Sequence, residues 1–341
     1  MGRLLFALFL LLALPVGGEA RPADGVLIDR QPCSTEQPSY DAWLATQVKN
    51  ESEEVQAAAK LGVIAPPAAG LTEILPTRAE YEAALATAAK CELLFYGSDG
   101  LKVAAYLWTP PTARAGARLP VIVMLRGGNR DFSKFAPNSQ RRMHAFTSAG
   151  FIVLGVQYRG VDGGEGKEEF GGGDVHDVLN AVELARRLPG ADPRNIFLWG
   201  ESRGGMMLYL ALRDGAKVNA AAALYALADL PHEAERRPDI VQNVWAQLIP
   251  DFAEHSEQAL RSRSAVGFID NVETPPILIL QGSADWRVDP DESLQIARKL
   301  QARGRPYALH VFENDVHRLP WNWRERDRLV IDWFHKHMQR E

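Results

Sequence analysis

Only two cysteines, Cys33 and Cys91, occur in 341 residues. Neither stands in a metal-ligand spacing, which argues against a zinc site. No nucleotide-binding loop and no flavin fingerprint is present, so no cofactor is expected. An excess of charge of one sign is also missing. With 38 basic and 43 acidic residues the net charge is -5, which leaves no electrostatic footprint for nucleic acid or an anionic membrane surface. There is no internal repeat and no low-complexity tract. What remains is 46% hydrophobic and 24% charged residues, the balance of a soluble globular protein with room for a sizeable core.

The longest apolar run, Leu4 to Val16, is too short to span a bilayer. It follows a basic start at Arg3 and precedes small residues at Gly18 and Ala20, the pattern of a secretory signal peptide cleaved after Ala20. Secretion or a periplasmic location is therefore expected, with no stable membrane association of the mature chain. Export would let a Cys33–Cys91 disulfide persist and pin the N-terminal segment to the first strand; two buried free thiols are the alternative. The sequon at Asn50 carries little weight, and oligomeric state is not legible.

Residues 21 to 90 read as an N-terminal helical extension. From Cys91 onward the rhythm changes. "CELLFYGSDGLKVAAYLWTP" is two β-rich runs joined at Ser98-Asp99-Gly100, a hairpin signal. Buried-type strands follow at 121–125, 151–157, 195–199, 221–227, 276–280 and 307–312, separated by helical patterns over 175–187, 292–303 and 324–338. Near-continuous apolar strands alternating with helices predict an α/β fold: a mostly parallel mixed sheet covered on both faces, with 91–341 as the catalytic domain. Residues 228–272 hold helical patterns without a strand, either a lid over substrate or ordinary packing helices.

The chemistry is carried by "NIFLWGESRGGMMLYLAL". Glycines two before and two after Ser202 permit a sharp strand-to-helix turn that holds the hydroxyl at the carboxyl edge of the sheet. A serine so placed needs a base and an acid, each after a later strand. After 276–280, "QGSADWRVDP" offers Asp285, nearest the strand end; Asp289 and Asp291 read as caps of the next helix. After 307–312 comes His317. His144, His176, His232 and His255 precede the acid, His310 falls in a strand, and His335 and His337 lie at a helix end. Ser202, Asp285 and His317 are thus the expected catalytic triad. The backbone N–H of Arg203 is one expected oxyanion donor. A second comes from "LRGGNRDF", where Gly128 ranks before Asn129.

"YRGVDGGEG", "GGGDVHDVLNAVELARRLPGADPRNIFLWGESRGGMM" and "QGSADWRVDP" with a final histidine resemble, block for block, the prolyl oligopeptidase family of serine peptidases over residues 91–341. The resemblance implies an α/β-hydrolase fold, the same triad, the oxyanion role for Gly128, and Asp174 and Asp177 at the opening of a surface helix. Arg159 would brace a loop. Arg203 stands where the family commonly has tyrosine, and its guanidinium would be free to attract an anionic substrate group. Arg126 stands where relatives often have histidine or tyrosine, so no side-chain hydroxyl assists the oxyanion there. The ninety or so residues before the hydrolase region are too few for the family's β-propeller. The reading is therefore a secreted serine peptidase cleaving peptide or amide bonds through an acyl-enzyme, with a carboxylesterase acting on small acyl esters as the alternative.

Overall fold

The computed structural model describes residues 21–340 apart from 35, 61, 68–69, 87–88 and 112–115. The expected signal peptide lies outside the described residues. The alternating apolar runs form a nine-stranded sheet, β1 (Leu27–Pro32), β2 (Lys90–Ser98), β3 (Leu101–Thr109), β4 (Leu119–Leu125), β5 (Ile152–Val156), β6 (Ala191–Glu201), β7 (Ala220–Leu224), β8 (Ile277–Gly282) and β9 (Tyr307–Phe312). Their spatial order is β1-β2-β3-β5-β4-β6-β7-β8-β9. The first three pairings across β1, β2, β3 and β5 are antiparallel, and every pairing from β5 to β9 is parallel. This is the expected hairpin followed by parallel crossovers. At the hairpin turn Asp99 and Gly100 both have positive φ, 54° and 74°, the backbone a two-residue loop needs to follow strand twist.

One expectation is corrected. The N-terminal extension is not wholly helical, because Leu27–Pro32 is an edge strand paired antiparallel with β2. Its side chains are nearly all exposed, so pairing is carried by backbone hydrogen bonds and leaves no apolar alternation to read. A Cys33–Cys91 disulfide closes the end of this pairing. The extension continues as helices α1 (Tyr40–Lys60), α2 (Leu71–Ile74) and α3 (Arg78–Ala86).

Along each central strand successive side chains enter opposite cores. In β4, Val121, Val123 and Leu125 join the core on one face, and Ile122 and Met124 the core on the other. Helices α5 (Asp174–Arg187) and α6 (Arg203–Arg213) cover the first face with Val178, Ala181, Met206 and Leu210. Helix α4 (Gln140–Ser148) and the helix Trp323–Lys336 cover the second with Phe146, Val330 and Phe334. Each such side chain contributes roughly 1.5–3 kcal/mol by leaving water. The connection from β4 runs to β5 on one side and that from β6 to β7 on the other. Between the carboxyl ends of β4 and β6 the two crossovers therefore part and leave a crevice, the place where open α/β sheets take ligands.

Candidate active site

Both strand ends at this crevice carry predicted site residues. Ser202 follows β6 with φ 54° and ψ -123°, a backbone that non-glycine residues adopt only under constraint. The constraint is local packing. A Cβ on Gly200 would stand 2.3 Å from the Gly204 carbonyl oxygen, and one on Gly204 2.1 Å from that of Leu125. Only hydrogen at these positions lets strand, turn and helix close together. The turn is fixed by the Ser202 N–H donating to Leu224 O at 3.0 Å and the Gly205 N–H donating to Ser202 O at 2.9 Å. Helix α6 starts at Arg203, so the Arg203 amide is among the donors that a helix start leaves without an intrahelical partner.

The acid and the base meet. His317 Nδ1 lies 2.8 Å from Asp285 Oδ2, and both residues are buried. Asp285 is held on its other oxygen by the N–H groups of Arg287 and Val288 at 2.9 and 3.1 Å, and Gln281 Nε2 donates to Oδ2 at 3.1 Å. A carboxylate so fixed can select the histidine tautomer with the proton on Nδ1, leaving Nε2 free to act as a base. The Tyr225 ring packs edge-on against the imidazole, centroids 4.7 Å apart. Asp289 does serve as a helix cap, its side chain accepting from the Asp291 N–H.

The loop after β4 lies against Ser202: a Cβ on Gly127 would stand 3.2 Å from Ser202 Cβ. Gly128 has φ 65°, and a Cβ there would meet Phe132 O at 2.2 Å, so glycine is required. Arg126, fully buried, donates to the Gly127 carbonyl at 3.2 Å. In a trans peptide the following N–H points the opposite way, so this bond also sets the direction of the Gly128 donor. Arg203 Nη1 donates to Gly128 O at 3.1 Å.

Arg203 departs from expectation. Its side chain is 2% exposed and pairs with Asp174 at 2.6 Å and Glu168 at 2.9 Å. The guanidinium also lies over the rings of Tyr158 and Phe170. It braces the loop after β4 through Gly128 O and is not available to substrate. Asp174 and Asp177 do open α5, but both are fully buried. Asp177 accepts from Arg159 and from Ser98, so these acids are ion-pair partners at an inward-facing helix end, and Arg159 braces a loop as expected.

Ser202, His317, Gly128 and Arg203 line one cavity of about 290 Å³. Its apolar lining is Phe170, Leu227, Ile240, Val244, Trp245 and Val288. Four of these residues come from, or next to, the 228–272 segment, so that segment shapes the site and does more than pack. Its polar lining includes Glu54, Glu201, Tyr225 and Arg318. Burial pushes the Glu201 carboxyl up, but the Arg142 guanidinium, the more distant charge of Arg318 and the Tyr225 hydroxyl outweigh it and hold the group at about 2.

A comparison with known families finds that the prolyl oligopeptidase family matches residues 137–341, more than half of the chain. The chain belongs to the prolyl oligopeptidase family. It is therefore a serine hydrolase with the α/β-hydrolase fold, as its sheet order indicates. Among curated members of this family-level neighbourhood it is 27% identical over 226 residues to the uncharacterized peptidase YtmA of Bacillus subtilis, covering 66% of this chain and 85% of that one. It is 30% identical over 272 residues to dipeptidyl peptidase family member 6 of Caenorhabditis elegans, covering 68% of this chain and 36% of that one. Among solved structures, a puromycin-hydrolyzing peptidase of Mycobacterium tuberculosis superposes with a TM-score of 0.65 at 25% identity, covering 78% of this chain and 41% of that one. The chain thus spans well under half the length of two of these three relatives.

Several residues of the site escape a reading of family motifs. Glu54, on α1, accepts from Trp286 Nε1 at 2.8 Å and from Arg287 Nε at 2.8 Å. It joins the N-terminal extension to the loop that carries Asp285, across more than 230 residues of sequence. Glu168 accepts from Arg126, the Arg130 N–H and Arg203. Its place inside "GGEGKEEFGGG", between two of the family blocks, was the one available signal, a charged residue flanked by loop glycines.

Proposed function

We propose that this chain is a secreted serine peptidase in which Ser202 is the nucleophile, His317 the general base and acid, and Asp285 the group that orients the imidazole. The observation that carries the reading is the 2.8 Å contact between His317 Nδ1 and Asp285, on a histidine that shares its cavity with a serine held at positive φ. His317 takes the Ser202 proton as Oγ attacks the substrate carbonyl. The Arg203 and Gly128 amides receive the oxyanion. The C–N bond breaks, His317 returns the proton to the leaving amine, and water then releases the acid from Ser202 by the same steps in reverse order. The apolar side chains of the cavity lining suit an uncharged acyl residue. The names of the relatives, dipeptidyl peptidase, acylamino-acid-releasing enzyme and puromycin-hydrolyzing peptidase, favour amide bonds in short substrates. Export is favoured by the apolar N-terminus and by a disulfide of the kind that persists in oxidising compartments.

A fluorophosphonate probe should label the mature protein, and Ser202→Ala should abolish labelling. Matched aminoacyl anilides and aryl esters then separate peptidase from esterase. Turnover of esters with no anilide turnover above background would replace the peptidase reading with the carboxylesterase one. N-terminal sequencing of the protein recovered outside the cytoplasm should begin at Arg21; a start at Met1 would remove the export reading.

A further inference from the structure

The cavity that holds Ser202 and His317 shares part of its lining with a second cavity of about 390 Å³. Helices α1 and α3, helix α4 and the stretch from Arg318 to Asp327 enclose it. Glu201, Tyr225 and Arg318 line both cavities, so these three side chains form the boundary between them. Arg318 directly follows His317. The backbone there is held at φ 80° for Arg318 and 56° for Leu319, two consecutive left-handed residues with Cβ atoms, a conformation that persists only where the surroundings impose it. Its effect is to turn the Arg318 side chain to the boundary of the two chambers.

The charges around this guanidinium are unequal in their commitments. Among the described residues, the other arginines of the catalytic cavity are each tied to an acid: Arg203 to Asp174 at 2.6 Å, Arg237 to Asp239 at 2.9 Å and Arg287 to Glu54 at 2.8 Å. Arg318 has only Glu51, at 3.9 Å, and its side chain is 43% exposed. The remaining acids that face it are already neutralised, Glu201 by Arg142 and Glu54 by Arg287. Glu51 is a poor competitor, since it is nearly buried, its Oε2 has no hydrogen-bond partner, and burial raises its carboxyl above the ordinary range.

We propose that Arg318 receives a free carboxylate on the leaving group, so that the enzyme prefers substrates whose scissile bond lies close to a C-terminal carboxylate. This inference rests on the acyl-enzyme reading above and deepens it. His317 must reach the leaving atom to protonate it, so the leaving group sits at the His317 side of the cavity, and the free donors there are those of Arg318. A planar guanidinium offers a carboxylate two parallel N–H donors. As the C–N bond breaks, the leaving nitrogen takes the proton from His317, while the carboxylate stays ionised throughout and remains on Arg318. The second chamber then accommodates the body of the departing residue.

The experiment compares two pairs of substrates with one apolar acyl residue: an N-acyl dipeptide ending in glycine against its C-terminal amide, and the corresponding ester of glycolate against that of glycolamide. Each pair differs only in the terminal charge. The wild-type protein should favour the acid over the amide in kcat/KM by about tenfold or more in both pairs, as one charge-assisted contact supplies. Arg318→Gln should bring that ratio near one. Glu51→Gln, which removes the competing acid, should raise it above wild type. A wild-type ratio near one, or an unchanged ratio in Arg318→Gln, overturns the proposal. If the glycolate ester pair shows the ratio and the peptide pair is not turned over, Arg318 stands and the peptidase reading fails. If neither pair is turned over and no fluorophosphonate labelling occurs, the acyl-enzyme reading itself fails, and the proposal falls with it.

Discussion

At the scale of single residues, the two expected oxyanion donors are held in place by one carboxylate. Glu168 is almost fully buried and takes Arg126 at 2.6 Å on one oxygen, and the Arg130 N–H and Arg203, both at 2.9 Å, on the other. Arg126 fixes the peptide that carries the Gly128 donor, and Arg203 carries the second donor on its own backbone. Glu168 touches neither substrate nor reacting atoms, so it is a positioning residue. In Glu168→Gln one acceptor oxygen becomes an amide group that faces a guanidinium, and two buried cations lose their shared anion. The expected result is a kcat lower by about 10- to 100-fold with KM nearly unchanged, because the donors serve the oxyanion more than the ground state. Glu168→Asp should recover part of the loss. A variant with wild-type kcat and only a lower melting temperature would show that the ion pairs stabilise the loop without aiming it.

At the scale of elements, the covered strands were legible and one of the two edge strands was not. Strands β4 to β8 announce themselves because both faces are covered and apolar residues run together, and β9, though partly exposed at the far edge, still carries a mostly apolar run. β1 is silent for the opposite reason: it buries backbone and almost no side chain. Ser202, Asp285 and His317 were legible as candidates because each follows a strand end, whereas the Glu54–Arg287 pair joins elements more than 230 residues apart, and no local pattern encodes such a contact. Arg203 misled because a charged residue beside a nucleophile reads as exposed until Glu168 and Asp174 are seen to enclose it.

The 228–272 segment has an anchor of the same hidden kind. Glu233, in the helix Leu230–Arg236, faces Glu292 in the helix Pro290–Ala302, and both are nearly inaccessible. Glu292 also accepts from the Asp229 N–H at 2.7 Å. Its other oxygen has no further partner, and burial together with the Glu233 charge raises its carboxyl well above the ordinary range. One proton between the two acids satisfies both. A carboxyl raised in the folded state stabilises the protein fully below the unfolded value near 4.5 and loses that contribution as pH climbs through the folded value. Glu292→Gln supplies a permanent donor in the same shape. It should flatten the fall in denaturation midpoint as pH rises above the unfolded value near 4.5, while leaving stability below that value close to wild type. Parallel pH–stability curves for the two proteins would show that the pair does not titrate in this way.

At the scale of the whole molecule, the N-terminal segment is a loop tied at its base. The Cys33–Cys91 bond joins residues 58 apart, and everything between them, α1 to α3, belongs to the part that adds Glu54 to the catalytic cavity. Away from the tie, α1 meets the hydrolase body through the Glu54 pairs, the Glu51–Arg318 contact and a small cluster of Ala58 with Ala284 and Val316, and the rest of the segment is held by Trp323 and Arg324, which donate to Ile74 O, and by the Arg324–Glu80 pair. The closed loop limits the freedom of the detached state. Closing a loop of this length is worth about 4 kcal/mol in chain entropy. Replacing both cysteines by serine should therefore loosen the segment first and the sheet hardly at all, since β2 to β9 keep their own core. Limited trypsin digestion tests this directly: cleavage within residues 34–90 should accelerate strongly in the double variant or after reduction, while the fragment from 91 onward persists. Equal resistance with and without the bond would mean that packing alone holds α1 over the site, and that the bridge contributes only at the β1–β2 edge.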